Sequence, residues 1–489
     1  MRKQLILLAS VLAAFGGSLA GSFHFDDFSL LTNPIITSPS GVWRIWAPIQ
    51  TRPFTNLTFW LNYQFGGANP LGFHVVNLAL HAASALMLFL VLRQLISPNA
   101  AWFAAAFFGL HPLQSEAVAY IFARATLLST LFSLLCVYQY LQNRRALSVM
   151  FFALALLSKE DCVTLPFLLV LLSISLHRPS RDDLKPISAI IGLALLAGAR
   201  AAWATSVSAK SGAGFSAGIG AFAYCSVQGA AILRYLALLV IPWGFTIEPN
   251  LTLSYPALYA VAWAAVAGLA MLAWRKFSNL RWGFWFLSGL VLLIPSSSIF
   301  PASDLAADRR MYLPMIAFSA IFGLLAQRMP VWVPPPVLTA LAVLSIFRMT
   351  VWSTEESLWR EAAGHSPHKV RPLIQLSRSV PGNQALDLLL QAERLDPKSA
   401  AVAAELGQLW LKTGRNDLAL QEFGRALALA PRDANALNNR GAALLALKQT
   451  KAAAQDFRKA LQIDPCLDAA RRNLQALGET NLPVCSMVK

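Results

Sequence analysis

Apolar residues fall into eleven runs along the first 350 positions, several of them close to the roughly 20 residues that a helix needs to cross a bilayer. The runs are Leu5–Gly21, Val75–Leu95, Ala100–Leu110, Ala119–Leu141, Leu147–Leu157, Thr164–Leu176, Pro186–Trp203, Pro256–Trp274, Trp282–Ile299, Leu313–Ala326 and Val331–Thr350. Several are shorter than a full crossing and must tilt or recruit flanking polar residues. A twelfth apolar helix, Phe222–Ile241, carries Arg234 at its middle, which disfavours a simple crossing. It is expected to lie along, or dip into, the outer face. After Thr350 the pattern changes to Ala/Leu-rich amphipathic helices with dispersed charge.

A strict period marks this second region. Pro397, Pro431 and Pro465 lie 34 residues apart, as do Gly407 and Gly441, Ala419 and Ala453, Phe423 and Phe457, and Ala426 and Ala460. That is the length and pattern of tetratricopeptide repeats, antiparallel helix pairs that stack into a solenoid. Ala385, Ala392 and Pro397 mark a weaker unit upstream. The sequence thus predicts an all-α chain, with a polytopic membrane bundle over 1–351 and a repeat solenoid over 352–489.

The basic clusters Arg2-Lys3, Arg93, Arg144-Arg145, Arg178–Lys185, Arg275–Arg281 and Arg328 should all face the cytoplasm. Eleven spans satisfy this, placing the N-terminus inside and the repeats outside. Long outer loops then succeed the first and seventh spans. The first, 22–74, is rich in Trp43, Trp46, Phe54, Phe59, Trp60 and Tyr63, as interfacial helices are. In the second, Ser211–Gly220 is rich in small residues and reads as mobile. Arg2-Lys3 and Leu5–Ala20 also fit a cleaved leader, but a retained helix is the better reading, because it anchors the acidic residues just beyond it.

Composition supports a membrane protein, with 56% hydrophobic and 13% charged residues. The net charge of +16 could suggest nucleic acid, but residues 1–351 carry 22 Lys and Arg against ten acids, placed between apolar runs. Orientation in a membrane needs that distribution, whereas nucleic-acid binding needs a basic face on a soluble domain. Cys136, Cys162 and Cys225 read as small buried hydrophobes. Cys466 and Cys485 can pair if the repeats lie outside the cytoplasm.

Candidate chemistry begins with Asp26 and Asp27, adjacent carboxylates just beyond the first run. Charge is costly near a bilayer, so the couplet is a functional candidate. One carboxylate can act as general base while the other supports it; the alternative is a helix N-cap. His111 and Glu116 share an outer turn and either bond to each other, bind a metal or simply shape the turn. Arg124 lies in an otherwise apolar helix. Lys159 and Glu160 either neutralise one another or hold a phosphate. Arg309 and Arg310 sit at the outer face, where guanidinium groups suit bidentate phosphate binding better than anchoring.

In order along the chain, Phe25-Asp26-Asp27, Arg52-Pro53, Asn56–Phe59, Asn62-Tyr63, Asn69-Pro70, Phe73-His74, Asn77, His81, His111-Pro112, Glu116–Val118, Ser158–Glu160, Ala307–Arg309 and Tyr312–Pro314 resemble the transmembrane and tetratricopeptide-repeat mannosyltransferases and their bacterial relatives. The resemblance covers nearly the whole chain. It implies a GT-C glycosyltransferase fold taking sugar from a polyprenyl-phosphate donor on the extracytoplasmic side. An acidic residue of the first outer loop would be the base, and Asp26 is the better match. The family often has an acid after Arg-Ala where this chain has Arg124-Ala125-Thr126, which removes whatever that acid does.

On this reading Arg309 or Arg310 holds the leaving phosphate, with Arg234, Lys159 and Arg124 helping and His111, Glu116 and Glu160 as supporting polar groups. No metal or cofactor is expected. The acceptor would be a Ser or Thr hydroxyl of a polypeptide captured by the repeats, with a glycan or lipid acceptor, or a membrane-anchored repeat scaffold, as alternatives. The location implied is a bacterial inner membrane, with repeats periplasmic. A transporter would show inverted repeats, and none is visible.

Overall fold

Short polar residues placed just before a proline fix where many of the helices begin. Asn33, Asn69 and Ser97 each precede a proline, and their side chains accept from the backbone N–H of Ile35, Leu71 and Ala100. Proline has no N–H to lose at the first helical turn, and its fixed φ already suits a helix. The helices Pro34–Thr37, Pro70–Leu92 and Pro98–Leu110 start this way.

The computed structural model describes residues 1–176, 181–207, 219–253, 255–277, 281–298, 300–483 and 485. Positions 178–180 of the expected basic cluster and 211–218 of the small-residue loop lie outside the described residues. Among the described residues the ordered elements are all helices, and they divide into two compact units, Met1–Leu358 and Trp359–Lys489.

In the first unit, seven helices among the described residues are long and apolar enough to cross a membrane. Ala221–Val240 is one of them. By length and composition it stands with the other six, although Arg234 had set it apart in the sequence. Arg145–Ser158, Trp282–Leu293 and Met315–Ala326 are shorter apolar helices. The first helix, Arg2–Phe15, buries Leu7, Val11, Ala14 and Phe15 and packs on Pro70–Leu92, Pro98–Leu110 and Pro334–Val351. Small residues set the closest approaches, as is usual between helices in lipid. A Cβ on Gly323 would collide with the Ala100 carbonyl.

The segment after the first helix folds into the helices Asp27–Thr32, Pro34–Thr37, Gly41–Arg44 and Pro53–Gly66. Its aromatic residues do not all behave alike: Phe59 is buried against Phe73 and Phe122, while Trp43 is 80% exposed.

The second unit consists of helix pairs. Ala400–Lys412 packs on Asn416–Leu429, and Ala434–Ala446 on Thr450–Ile463. Gly407 and Gly441 are the points where the rings of Phe423 and Phe457 approach the preceding helix. The period of 34 therefore reports one repeated contact. Cys466 and Cys485 are joined as a disulfide.

Candidate functional site

The carboxylate couplet sits on a turn that sends its two members in different directions. Phe25, immediately before it, has φ +47°, in the left-handed region that bulky residues seldom occupy. Asp27 is fully buried, and its carboxylate accepts from the backbone N–H of His24 (3.0 Å to Oδ2) and of Phe122 (2.7 Å to Oδ1). Burial pushes its carboxyl up to about 7, against those two hydrogen bonds. Asp26 is exposed, and its Oδ2 accepts from the Tyr120 hydroxyl at 2.9 Å. It occupies the N-cap position of Asp27–Thr32, yet its side chain makes no capping bond.

Tyr120 is the link between Asp26 and the basic residues. It is buried, and the Arg309 guanidinium lies 5.7 Å from its ring centroid. Arg309 is held by Glu116, which pairs with Nη1 and accepts from the Arg309 backbone N–H at 2.9 Å; Asp304 accepts from Nη2 at 3.3 Å. Burial works against that charge, but the Glu116 and Asp304 carboxylates more than offset it.

Arg310 differs from its neighbour. Its guanidinium donates to the Tyr224 hydroxyl (2.9 Å) and to the carbonyls of Leu305 (3.3 Å) and Asp304 (2.6 Å). All three are neutral oxygens, and among the described residues no carboxylate pairs with it. Arg234, by contrast, is matched with Asp308 at 2.5 Å.

The remaining candidates separate into two groups. Arg52 donates twice to Glu160, at 2.5 and 3.1 Å. Burial opposes ionisation of Glu160, yet Arg52 brings it down to about 2. Lys159 is bound to Asp161 (2.8 Å) and to the Thr126 hydroxyl (2.7 Å). Beside Glu160 opens a cavity of about 270 Å³, with Leu156, Leu157, Leu193, Leu196 and Ala197 among its apolar walls and Arg200 among its polar ones.

Arg124 and His111 are engaged inside the fold. Arg124 is completely buried, donates to Asn77 Oδ1, Thr58 O and Phe73 O, and packs on the rings of Phe59 and Phe73. It heads the helix Arg124–Leu141 and does not lie midway along one, so its charge serves to pin three carbonyl-type oxygens together. His111 accepts from the Leu113 N–H at 3.1 Å and faces the Leu239 carbonyl at 3.4 Å. Burial pushes its ring down to about 3, so the neutral imidazole shapes the turn. Glu116 turns to Arg309 instead.

Sequence reasoning passed over Tyr120, His24 and Glu355. Tyr120 is an aromatic at the edge of an apolar run, indistinguishable there from a core residue. Its neighbours in sequence carry no polar signal.

Residues 434–465 match the tetratricopeptide repeat model. A Caenorhabditis elegans protein O-mannosyl-transferase is 33% identical over 204 residues, covering 37% of this chain and 29% of its own. Drosophila melanogaster Tmtc1 is 39% identical over 140 residues, covering 27% and 15%, and Homo sapiens TMTC4 is 30% identical over 204 residues, covering 33% and 28%; both are named protein O-mannosyl-transferases. Each match spans less than a third of the relative's length. Among solved structures, an Archaeoglobus fulgidus oligosaccharyltransferase aligns over 78% of this chain and 58% of its own, at 13% identity and a TM-score of 0.36, too loose a likeness to bear on function. By sequence, the chain is similar to the TMTC family of protein O-mannosyl-transferases.

Proposed function

We propose that this chain is an integral-membrane glycosyltransferase that moves a mannose-like sugar from a polyprenyl-phosphate donor to a Ser or Thr hydroxyl of a protein acceptor. The observation that carries the reading is the exposed Asp26 carboxylate, bonded to Tyr120, whose ring borders the Arg309 guanidinium. A base and a phosphate-sized cationic patch, almost 300 residues apart in sequence, thus share one side chain between them.

Asp26 takes the proton of the acceptor hydroxyl as its oxygen attacks the anomeric carbon. The bond from that carbon to the lipid phosphate breaks, and the phosphate leaves with the electron pair. Guanidinium charge aimed at the leaving oxygens lowers the barrier. Arg310 is best suited, because its present partners are neutral and its charge is open to an anion. Arg309 contributes field while remaining bound to Glu116. Arg234 and Lys159, each matched to a carboxylate, set the local potential, and the reading requires no metal ion.

The cavity beside Glu160 has the walls that the first isoprene units of such a donor need. Its volume is below the usual 300–1,000 Å³ of small-molecule pockets, so it takes a segment of the lipid and leaves the rest to the bilayer. The repeats are the natural holder of an acceptor polypeptide. The Cys466–Cys485 disulfide supports an extracytoplasmic location for them, since such bonds persist in oxidising compartments. A bacterial inner membrane, with the N-terminus cytoplasmic, is the orientation this reading adopts.

Purified protein, a polyprenyl-phosphate sugar and Ser/Thr peptides form the test. Asp26→Asn keeps the size and removes the basicity; it should abolish transfer while donor binding persists. Full activity in that variant would overturn the reading.

A further inference from the structure

We infer that His24 is a positioning residue, whose buried ring fastens the 24–27 turn to the segment 352–355 and so fixes where Asp26 points. The inference rests on the proposed function only for what Asp26 does once it is held.

The ring of His24 is fully buried. Nδ1 lies 2.6 Å from Glu355 Oε1, and Nε2 lies 2.9 Å from the Trp352 carbonyl. A carbonyl only accepts, and so does an ionised carboxylate. Nε2 therefore donates to the Trp352 carbonyl, while Nδ1 shares a short hydrogen bond with the Glu355 carboxyl group, so the ring bridges both. Asp27, on its own turn, and His74, on the helix Pro70–Leu92, also feel the His24 ring.

The backbone of the same residue completes the turn. Its N–H donates to Asp27 Oδ2 at 3.0 Å, and its carbonyl accepts from the Asp27 N–H at 2.8 Å. Phe25 spans the turn at φ +47°, a conformation that persists in a bulky residue only where the surroundings over-determine it. That turn separates the couplet, putting Asp27 in the interior and Asp26 against Tyr120. The aromatic neighbours close the circuit. The His24 ring meets Trp352 edge-on at 5.6 Å, Trp352 stacks near Tyr120 at 6.4 Å, and Phe25 meets Tyr120 edge-on at 5.7 Å. Through Trp352 the His24 ring reaches the partner of Asp26, and through its own backbone it holds Asp27, without touching the Asp26 side chain itself.

Trp352 and Glu355 come just before the repeat unit begins at Trp359. Without the His24 ring the turn loses its hydrogen bonds to Trp352 and Glu355, the hold on the left-handed conformation of Phe25 weakens, and Asp26 samples orientations away from Tyr120.

The test uses full-length His24→Ala and the gentler Glu355→Gln, which keeps size and polarity at a partly exposed position. Two readouts are needed. Hydrogen exchange reports the turn itself: the Asp27 and Phe122 amides should exchange at least tenfold faster in both variants, while amides of the helix Pro70–Leu92 keep their wild-type protection. Kinetics report the consequence: the turnover number should fall at least tenfold with donor and peptide KM within twofold of wild type. The double variant should lose little more than either single one, because the two groups act as a unit. Unchanged exchange at Asp27 and Phe122 would overturn the inference, as would additive losses or a defect confined to KM. If wild-type protein transfers no sugar from any lipid donor, the proposed function fails, and the exchange experiment still decides the role of His24.

Discussion

Asp27→Asn compared with Asp27→Ala tests whether the second carboxylate is structural. Alanine leaves two buried N–H groups, those of His24 and Phe122, without acceptors. Each such loss costs about 1–3 kcal/mol, so about 2–6 kcal/mol together. Asparagine keeps one acceptor oxygen and loses about half of that. The pH dependence adds a signature. Burial raises the Asp27 carboxyl from an ordinary 3.8 to about 7. The folded chain therefore holds this proton more tightly than the unfolded chain does. Its contribution to stability is complete below about pH 4, declines as pH rises, and is gone above about pH 7. At about 1.4 kcal/mol per pH unit, wild type should gain up to about 3 kcal/mol on Asp27→Asn between pH 8 and pH 5. Thermal unfolding in detergent, monitored by tryptophan fluorescence at the two pH values, reads this out. A wild-type advantage that does not change with pH, or an alanine variant as stable as wild type, would refute the reasoning.

Three further outcomes are expected. Arg310→Ala should lower turnover with the lipid donor by the equivalent of about 2–4 kcal/mol with little loss of stability, whereas Arg309→Ala strands the buried Glu116 and should also destabilise the protein, by about 3–5 kcal/mol; equal thermal stability of the two variants would contradict the pairing described. Cys466→Ser opens a link across 19 positions of sequence, worth about 3 kcal/mol for a loop of this size, and reductant should lower the unfolding temperature of wild type but not of the variant. Gly441→Ala places a Cβ 2.6 Å from the Phe457 ring; overpacking of about 1–3 kcal/mol should outweigh the roughly 1 kcal/mol that alanine gains in a helix, so the repeats should melt earlier in a proteolysis assay.

Much of the fold could be read from the chain because its two regions use the strongest sequence signals available. Long apolar runs state a membrane helix by length alone, and the spacing of 34 in Gly441, Ala453, Phe457 and Pro465 records a contact repeated in space. Phe222–Ile241 shows where that legibility stops. Its central Arg234 looks costly in one dimension, but in three dimensions Asp308 stands 2.5 Å away, and the sequence gap of 74 residues hides the pairing.

The visibility of the site residues has the same cause. Charges in an apolar sequence announce themselves, so Asp26, Asp27, Arg309 and Arg310 stood out, but a charge alone does not say whether it is already satisfied. Arg124 was as conspicuous as Arg310, yet its guanidinium is wholly engaged by Asn77, Thr58 and Phe73, with two rings against it. Arg310 also meets neutral oxygens, but it is only half-buried where Arg124 is wholly enclosed, so its charge stays open. The difference lies in how far the surrounding segments enclose each guanidinium. His24 and Tyr120 are the converse case: residues without a sequence signal that become important because the fold brings Glu355 and Trp352 to one and Asp26 to the other. A cation that meets no carboxylate and stays partly accessible is where an anionic substrate gains most, and Arg310 is such a cation.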